Sequence, residues 1–326
     1  MTIAALVRPA AAAEKVVLQL RWDHQFQFAG YYAAKWMGYY DEAGLDVEIR
    51  PAFAGDGKYL EVLDEVAAGR ADFGIAAADI LKAQSDGVPL VIVKSVYQHS
   101  PVAFYARATQ KLESPADLAG LRIGVRTDGF AAAELRAMLR AESIDPAAVT
   151  LVPIRNNLGI QDIAAGLVEA ATGFTISAGW YASRLGLSLT ALRPQTYGVD
   201  FYGDSLFANR RLTDEAPDLV ERFAVASMRG WEYALDNANE IAGRIARELP
   251  RRIPLDDAEG FNRFQAGQIR RLAQYPIVEL GHTNPARWEK MHDALKDAGL
   301  VRGAFIRSEA IFDSGGIRRA RFERRM

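Results

Sequence analysis

The stretch VVLQLRWDHQFQFAGYYAAKWMGYYDEAGLDVEI, Val16–Ile49, decides the fold class. In Val16–Trp22 the apolar Leu18, Leu20 and Trp22 alternate with Gln19 and Arg21, as in a short strand. A polar and aromatic loop, Asp23–Phe28, follows. Tyr31–Tyr40 then reads as a helix ending near Gly44, with small Ala33 and Ala34 beside apolar Tyr32, Trp36 and Met37. Leu45–Ile49 is a second strand. Strand, helix and strand in so short a span is the unit of a mainly parallel sheet covered on both faces.

The rhythm continues outward. Leu60–Ala68 reads as a helix stopped by Gly69, Ala71–Ala76 as a strand, Ile80–Ser85 as a short helix, and Leu90–Val96 as a fully apolar, buried-type strand. It restarts with strands at Arg122–Val125, Thr150–Pro153 and Ala170–Thr175, and helices at Ala131–Ala141 and Ile160–Gly166. After Tyr197 the pattern turns helical: Thr213–Ala234, Ala238–Glu248, Asp256–Leu272, Pro285–Ala298 and Ala304–Ile311. The expectation is two lobes, one from residues 16–104 and 204–312, the other from residues 105–203. The chain crosses between them near Gln98–Phe104 and Gly198–Asp204.

Composition narrows the function. The 326 residues carry a formal charge of −2, which offers nucleic acid or anionic lipid no global attraction. There is no cysteine, so disulfide frameworks, thiolate metal sites and cysteine nucleophiles are excluded together. Ala11 and Ala13 before Glu14 fit an A-x-A cleavage site, so residues 1–15 read as a residual export signal or a disordered start. Residues 313–326 form a basic tail with Arg318, Arg319, Arg321, Arg324 and Arg325. No other stretch approaches the ~20 apolar residues of a membrane span.

Leu20-Arg21-Trp22-Asp23-His24-Gln25-Phe26-Gln27-Phe28-Ala29-Gly30-Tyr31-Tyr32, then Gly38-Tyr39-Tyr40 and Glu42-Ala43-Gly44-Leu45-Asp46-Val47, resembles the opening of solute-binding proteins for thiamine pyrimidine precursors. Gly69–Ile75, Gly87–Leu90, Tyr197–Asp204 and Gly230–Ala234 continue the likeness, which covers about Val16 to Leu300. The resemblance implies a two-lobed α/β periplasmic-binding-protein fold of type II-like form, exported and monomeric. It also implies an ABC permease as partner and a formylaminopyrimidine-type ligand held between the lobes. Tyr197–Asp204 and Glu279–Trp288 look most like relatives fused to membrane-bound kinases or cyclases, which leaves a ligand-sensor role open. Eukaryotic relatives that make the pyrimidine use a histidine in the segment matching Ala76–Ala83 and a cysteine-rich stretch matching Tyr197–Ala208. Here Asp79 stands in the first and the second has no cysteine, so no catalysis, metal or cofactor is expected.

Ligands of open α/β sheets bind beyond the carboxyl ends of strands, and pockets favour domain interfaces. In the first loop Trp22, Phe28 and Tyr31 offer π-surface, while His24 and Gln25 offer hydrogen bonds between them; the alternative is that the aromatic residues pack the core. Asp79 follows a strand and either accepts from a ligand amine or caps the next helix. Gln98 and His99 end an apolar strand at the first crossing. Thr127 and Asp128 are turn formers or contacts from the second lobe, and Trp180 is its expected lid aromatic. Asp200 and Tyr202 reach the cleft from the return crossing or only set the bend.

Overall fold

The computed structural model describes residues 12–127, 129–154 and 159–313. The stretch expected to be an export signal, Asp128 and the arginines of the basic tail therefore lie largely or wholly outside the described residues. The first half runs β1 (Glu14–Gln19), α1 (Ala29–Trp36), α2 (Tyr39–Glu42), β2 (Leu45–Arg50), α3 (Val62–Ala67), β3 (Phe73–Ala76), α4 (Asp79–Ser85) and β4 (Leu90–Ser95). Next come β5 (Val102–Arg107), β6 (Arg122–Val125), α5 (Phe130–Ala141), β7 (Thr150–Pro153), α6 (Gly159–Ala164), β8 (Ala170–Phe174), α7 (Ala178–Arg184) and β9 (Leu189–Leu192). The chain returns through β10 (Ser205–Asn209) and continues as α8 (Arg210–Glu215), α9 (Pro217–Asp236), α10 (Ala238–Glu248), α11 (Ala258–Leu272), α12 (Pro285–Asp297) and α13 (Arg307–Ala310).

Two five-stranded sheets result, ordered β2-β1-β3-β10-β4 and β7-β6-β8-β5-β9. Each is mixed. In the first, β1 pairs in parallel with β2 and β3, whereas β10 runs antiparallel between β3 and β4. In the second, β6 pairs in parallel with β7 and β8, and β5 runs antiparallel between β8 and β9. Half of the neighbouring pairs are thus antiparallel, which is what makes both sheets mixed. The antiparallel pairs all come from β5 and β10, each next to an edge strand and almost wholly buried, so that neither carries an alternation to read.

Close approaches fix the packing. Phe207 of β10 lies over Gly74 of β3, where an added Cβ would stand 2.5 Å from its ring. Helix α1 lies on α9 at Gly30 and Gly230: a Cβ on Gly230 would meet the Gly30 carbonyl oxygen at 2.1 Å. Trp231 fills the space over Gly30 and is buried.

The two crossings are bonded to each other. The Val96 and Tyr97 amides both donate to the Asp204 carbonyl at 3.0 Å, and the Gly203 amide donates to the Tyr97 carbonyl at 3.1 Å. One apolar cluster spans this junction, joining Ile92 and Phe207 of the first sheet to Phe104 and Ile123 of the second and to Trp288 of α12. Among the described residues no helix is long and apolar enough to cross a membrane.

Candidate functional site

The end of β1 delivers Arg21 and Trp22 to the face where the lobes meet. Arg21 Nη1 donates to Asp204 Oδ1 at 3.2 Å, and its Nη2 lies 3.7 Å from Asp79 Oδ2. Burial works to lower the Arg21 pKa, but the two carboxylates outweigh it and the guanidinium is held above its ordinary value. Burial in turn raises the Asp204 pKa, with Arg21 and Gln27 opposing the rise. One guanidinium thus serves two carboxyl groups. Its plane faces the second lobe, where its central carbon stands 5.1 Å from the centroid of the Phe130 ring.

Two aromatic walls flank this point. On the first lobe Trp22 is half-buried, with its ring 5.4 Å from Phe53 and 6.2 Å from Tyr59. Phe53 and Tyr59 sit opposite each other in a small hairpin turned at Gly55-Asp56-Gly57. The Tyr59 hydroxyl donates to the Arg21 carbonyl at 3.0 Å and pins the hairpin to β1. On the second lobe Phe130 begins α5 and stands 6.0 Å from Phe174 at the end of β8.

The remaining expected residues distribute between cleft, hinge and core. Asp79 faces Arg21, and it does not cap its helix: it is the first residue of α4, and its Oδ1 accepts from the Ala77 amide at 2.7 Å. Gln25 donates to Gln27 Oε1, whose amide donates to Asp204 Oδ2 at 2.7 Å, so the loop glutamines serve the buried carboxylate. Thr127 is half-buried in the turn from β6 to α5. Trp180 packs at 5.8 Å from Phe261 and 6.1 Å from Phe264 of α11, which makes it a contact across the lobes. Arg184 lies over its ring and pairs with Asp257 at 3.3 Å, and Arg126 pairs with Glu61 at 3.8 Å.

Five expectations of cleft contact are corrected. Phe28 and Tyr31 are sealed in the first-lobe core, 0% and 1% exposed, because α1 turns that face toward α9 and Trp231. Tyr202 stacks on Trp288 at 5.3 Å and accepts from the Asn284 amide. Gln98 donates to the Ser95 and His282 carbonyls, both at 3.0 Å. His24 is buried, with Nδ1 2.8 Å from the Tyr32 hydroxyl, and burial lowers its pKa. Asp23 beside it accepts from the amides of Arg252 and Ile253, stitching this loop to the segment before α11.

His99 and Asp200 meet at the hinge, Nδ1 to Oδ1 at 2.7 Å, while Gln274 lies 2.6 Å from His99 Nε2 and Arg287 2.8 Å from Asp200 Oδ2. Beside them lies a cavity of about 50 Å³, bordered by Ser100 of the first crossing, by Glu134, Thr175 and Gln195 of the second lobe and by Gln268 and Arg271 of α11. Glu134 is fully buried. The Ser100 hydroxyl donates to its Oε1 at 2.7 Å, and Oε2 has no hydrogen-bond partner among the described residues. Burial pushes its pKa up to about 8, Ser100 opposing and Asp200 adding to the rise.

Sequence reasoning missed Arg21, Phe53, Tyr59, Phe130, Glu134 and Asp204 as site residues, and noted Phe174 only as part of a strand end. The hairpin was readable from two aromatic residues bracketing Gly-Asp-Gly. Arg21 was visible as a cation just past the end of β1, between the apolar Leu20 and Trp22.

The model of the family described as NMT1/THI5 like matches residues 25–241, which spans most of the two-lobed body. The chain belongs to the NMT1/THI5-like family. Its relatives include the riboflavin-binding protein RibY of Chloroflexus aurantiacus, 27% identical over 88% of this chain and 82% of that protein. The formylaminopyrimidine-binding protein of Halalkalibacterium halodurans is 28% identical over 70% of this chain and 69% of its own. Among solved structures, the periplasmic aliphatic sulphonate-binding protein SsuA of Escherichia coli superposes with a TM-score of 0.70 at 14% identity. It covers 92% of this chain and 98% of that one, and at that identity it speaks for the fold alone.

Proposed function

We propose that this NMT1/THI5-like chain is the extracytoplasmic solute-binding protein of an ABC importer, without catalytic activity. It captures a small planar heteroaromatic ligand, of the formylaminopyrimidine or flavin class, by closing its lobes. The observation that carries the reading is the pair of half-buried aromatic walls from separate lobes, Trp22, Phe53 and Tyr59 against Phe130 and Phe174. A flat ring gains roughly 0.5–1.5 kcal/mol per aromatic partner beyond burial. Asp79, half-buried beside Arg21, is the acceptor for a ligand amine. Two relatives named for heteroaromatic ligands support the class.

Charge argues against an anionic guest. Arg21 is already shared by Asp79 and Asp204, so no uncompensated cation stands there to hold a sulfonate. The hinge cavity of about 50 Å³ is far below the roughly 300–1,000 Å³ of a ligand pocket, so the lobes part to admit the ligand. The closed form is then what a permease reads. A thermal-shift panel of formylaminopyrimidine, riboflavin, purines and alkanesulfonates tests this: stabilisation by a heteroaromatic compound is expected, and stabilisation by the sulfonates alone would end the reading. Trp22→Ala should weaken binding of the responding compound roughly tenfold while leaving the melting temperature of the free protein nearly unchanged.

A further inference from the structure

The hinge cavity and the aromatic walls share elements. Phe130 and Glu134 lie four residues apart on α5, on adjacent turns of one face and about 6 Å apart along the axis. Phe174 of the wall is followed by Thr175 of the cavity. A carboxyl group with a free oxygen, buried at a meeting of two lobes, needs a partner, since an unpaired buried polar group costs about 1–3 kcal/mol. Closing the site from the first lobe are Gln268 and Arg271. Resting on the functional reading above, we propose that this cavity is the polar end of the ligand cleft, and that Glu134 reads a ligand edge bearing a hydrogen-bond donor beside an acceptor. The amidine-like edge of an aminopyrimidine and the imide edge of a flavin both have that form, and a carboxylic acid answers either with two hydrogen bonds.

At about 50 Å³ the cavity has room for a few waters, each needing about 10–15 Å³, which suits one polar edge of a ligand. The charged groups around Glu134 are Asp200 at the crossing, held by His99 and by Arg287 of α12, with Arg193 and Arg271 at the cavity wall. Of these Asp200 favours the neutral acid. The acid therefore keeps its donor at neutral pH and loses it as pH rises past about 8.

The test is titration calorimetry on the full chain with two pairs: formylaminopyrimidine against its deamino analogue, and riboflavin against 3-methylriboflavin, whose imide N–H is blocked. For the pair that binds, wild type should prefer the intact edge roughly tenfold or more. Glu134→Ala should abolish that preference, and Glu134→Gln should remove the weakening of affinity above pH about 8. Should Glu134→Ala fold poorly, Gln268→Leu on the opposite wall should also reduce the preference. An unchanged preference in both variants, or a wild type indifferent to the edge, overturns the subsite while leaving the stacking reading intact. If no member of either pair binds wild type, the functional reading fails and the subsite with it.

Discussion

Arg21 shows how a single residue can hold a site together before any ligand arrives. Its side chain is 13% exposed and that of Asp204 5%, so neither charge has water to fall back on. Removing one partner of a buried pair typically costs about 3–5 kcal/mol, because the other stays behind uncompensated. Arg21→Ala should lose stability of that order in urea unfolding; a loss under about 1 kcal/mol would mean that Asp204 finds water or takes up a proton at little cost. Glu134 gives the opposite signature. Its native pKa, about 8, lies above the ordinary 4.5, so the folded protein binds the proton more tightly than the unfolded chain. Its contribution is fully present below about 4.5 and is lost as pH rises through about 8. Wild type should therefore lose melting temperature relative to Glu134→Gln across that window, and a constant offset between the two would refute the assignment.

At the scale of elements, the helix pair α1 and α9 depends on two glycines that intrinsic propensity disfavours by about 1 kcal/mol each. Gly230→Ala should shift the denaturation midpoint downward by roughly 1–3 kcal/mol of overpacking with little change in slope. An unaffected midpoint would show that the helices separate freely. Much of this level was legible. Strand-like runs such as Leu90–Val96 and the amphipathic repeats of α5, α10 and α12 mark themselves through hydrophobic spacing, and β4, α10 and α12 fall where that spacing puts them. The returning β10 was not, because Ser205–Asn209 is five residues long with four fully buried, which leaves no polar face to set a period. The site was only half legible for a related reason. Trp22 and Phe28 look alike in sequence, and only the direction in which α1 leaves the loop puts the first at the opening and the second inside.

For the molecule as a whole, the proposed parting of the lobes would break a short set of contacts away from the crossings: Trp180 on Phe261 and Phe264, Tyr181 on Phe261, Arg21 over Phe130, Arg184 with Asp257, and Arg126 with Glu61. The ion pairs are exposed and worth little. The aromatic contact is then the dominant clasp, and Trp180→Ala should increase the radius of gyration of the free protein in X-ray scattering. An identical scattering curve would show that the closed form is held elsewhere, the hinge group around His99 being next in line.

The strand that slots backwards between β3 and β4 also sets an order of assembly. The second sheet draws only on residues 102–192, while the first has an unfilled gap until residues 205–209 have been made. During synthesis the middle segment can complete its sheet first, and the amino-terminal strands stay an unfinished template that the chain must revisit. A sheet closed in this way cannot be completed by its own leading strands, and waits on a segment that the chain reaches only after the other sheet has been laid down.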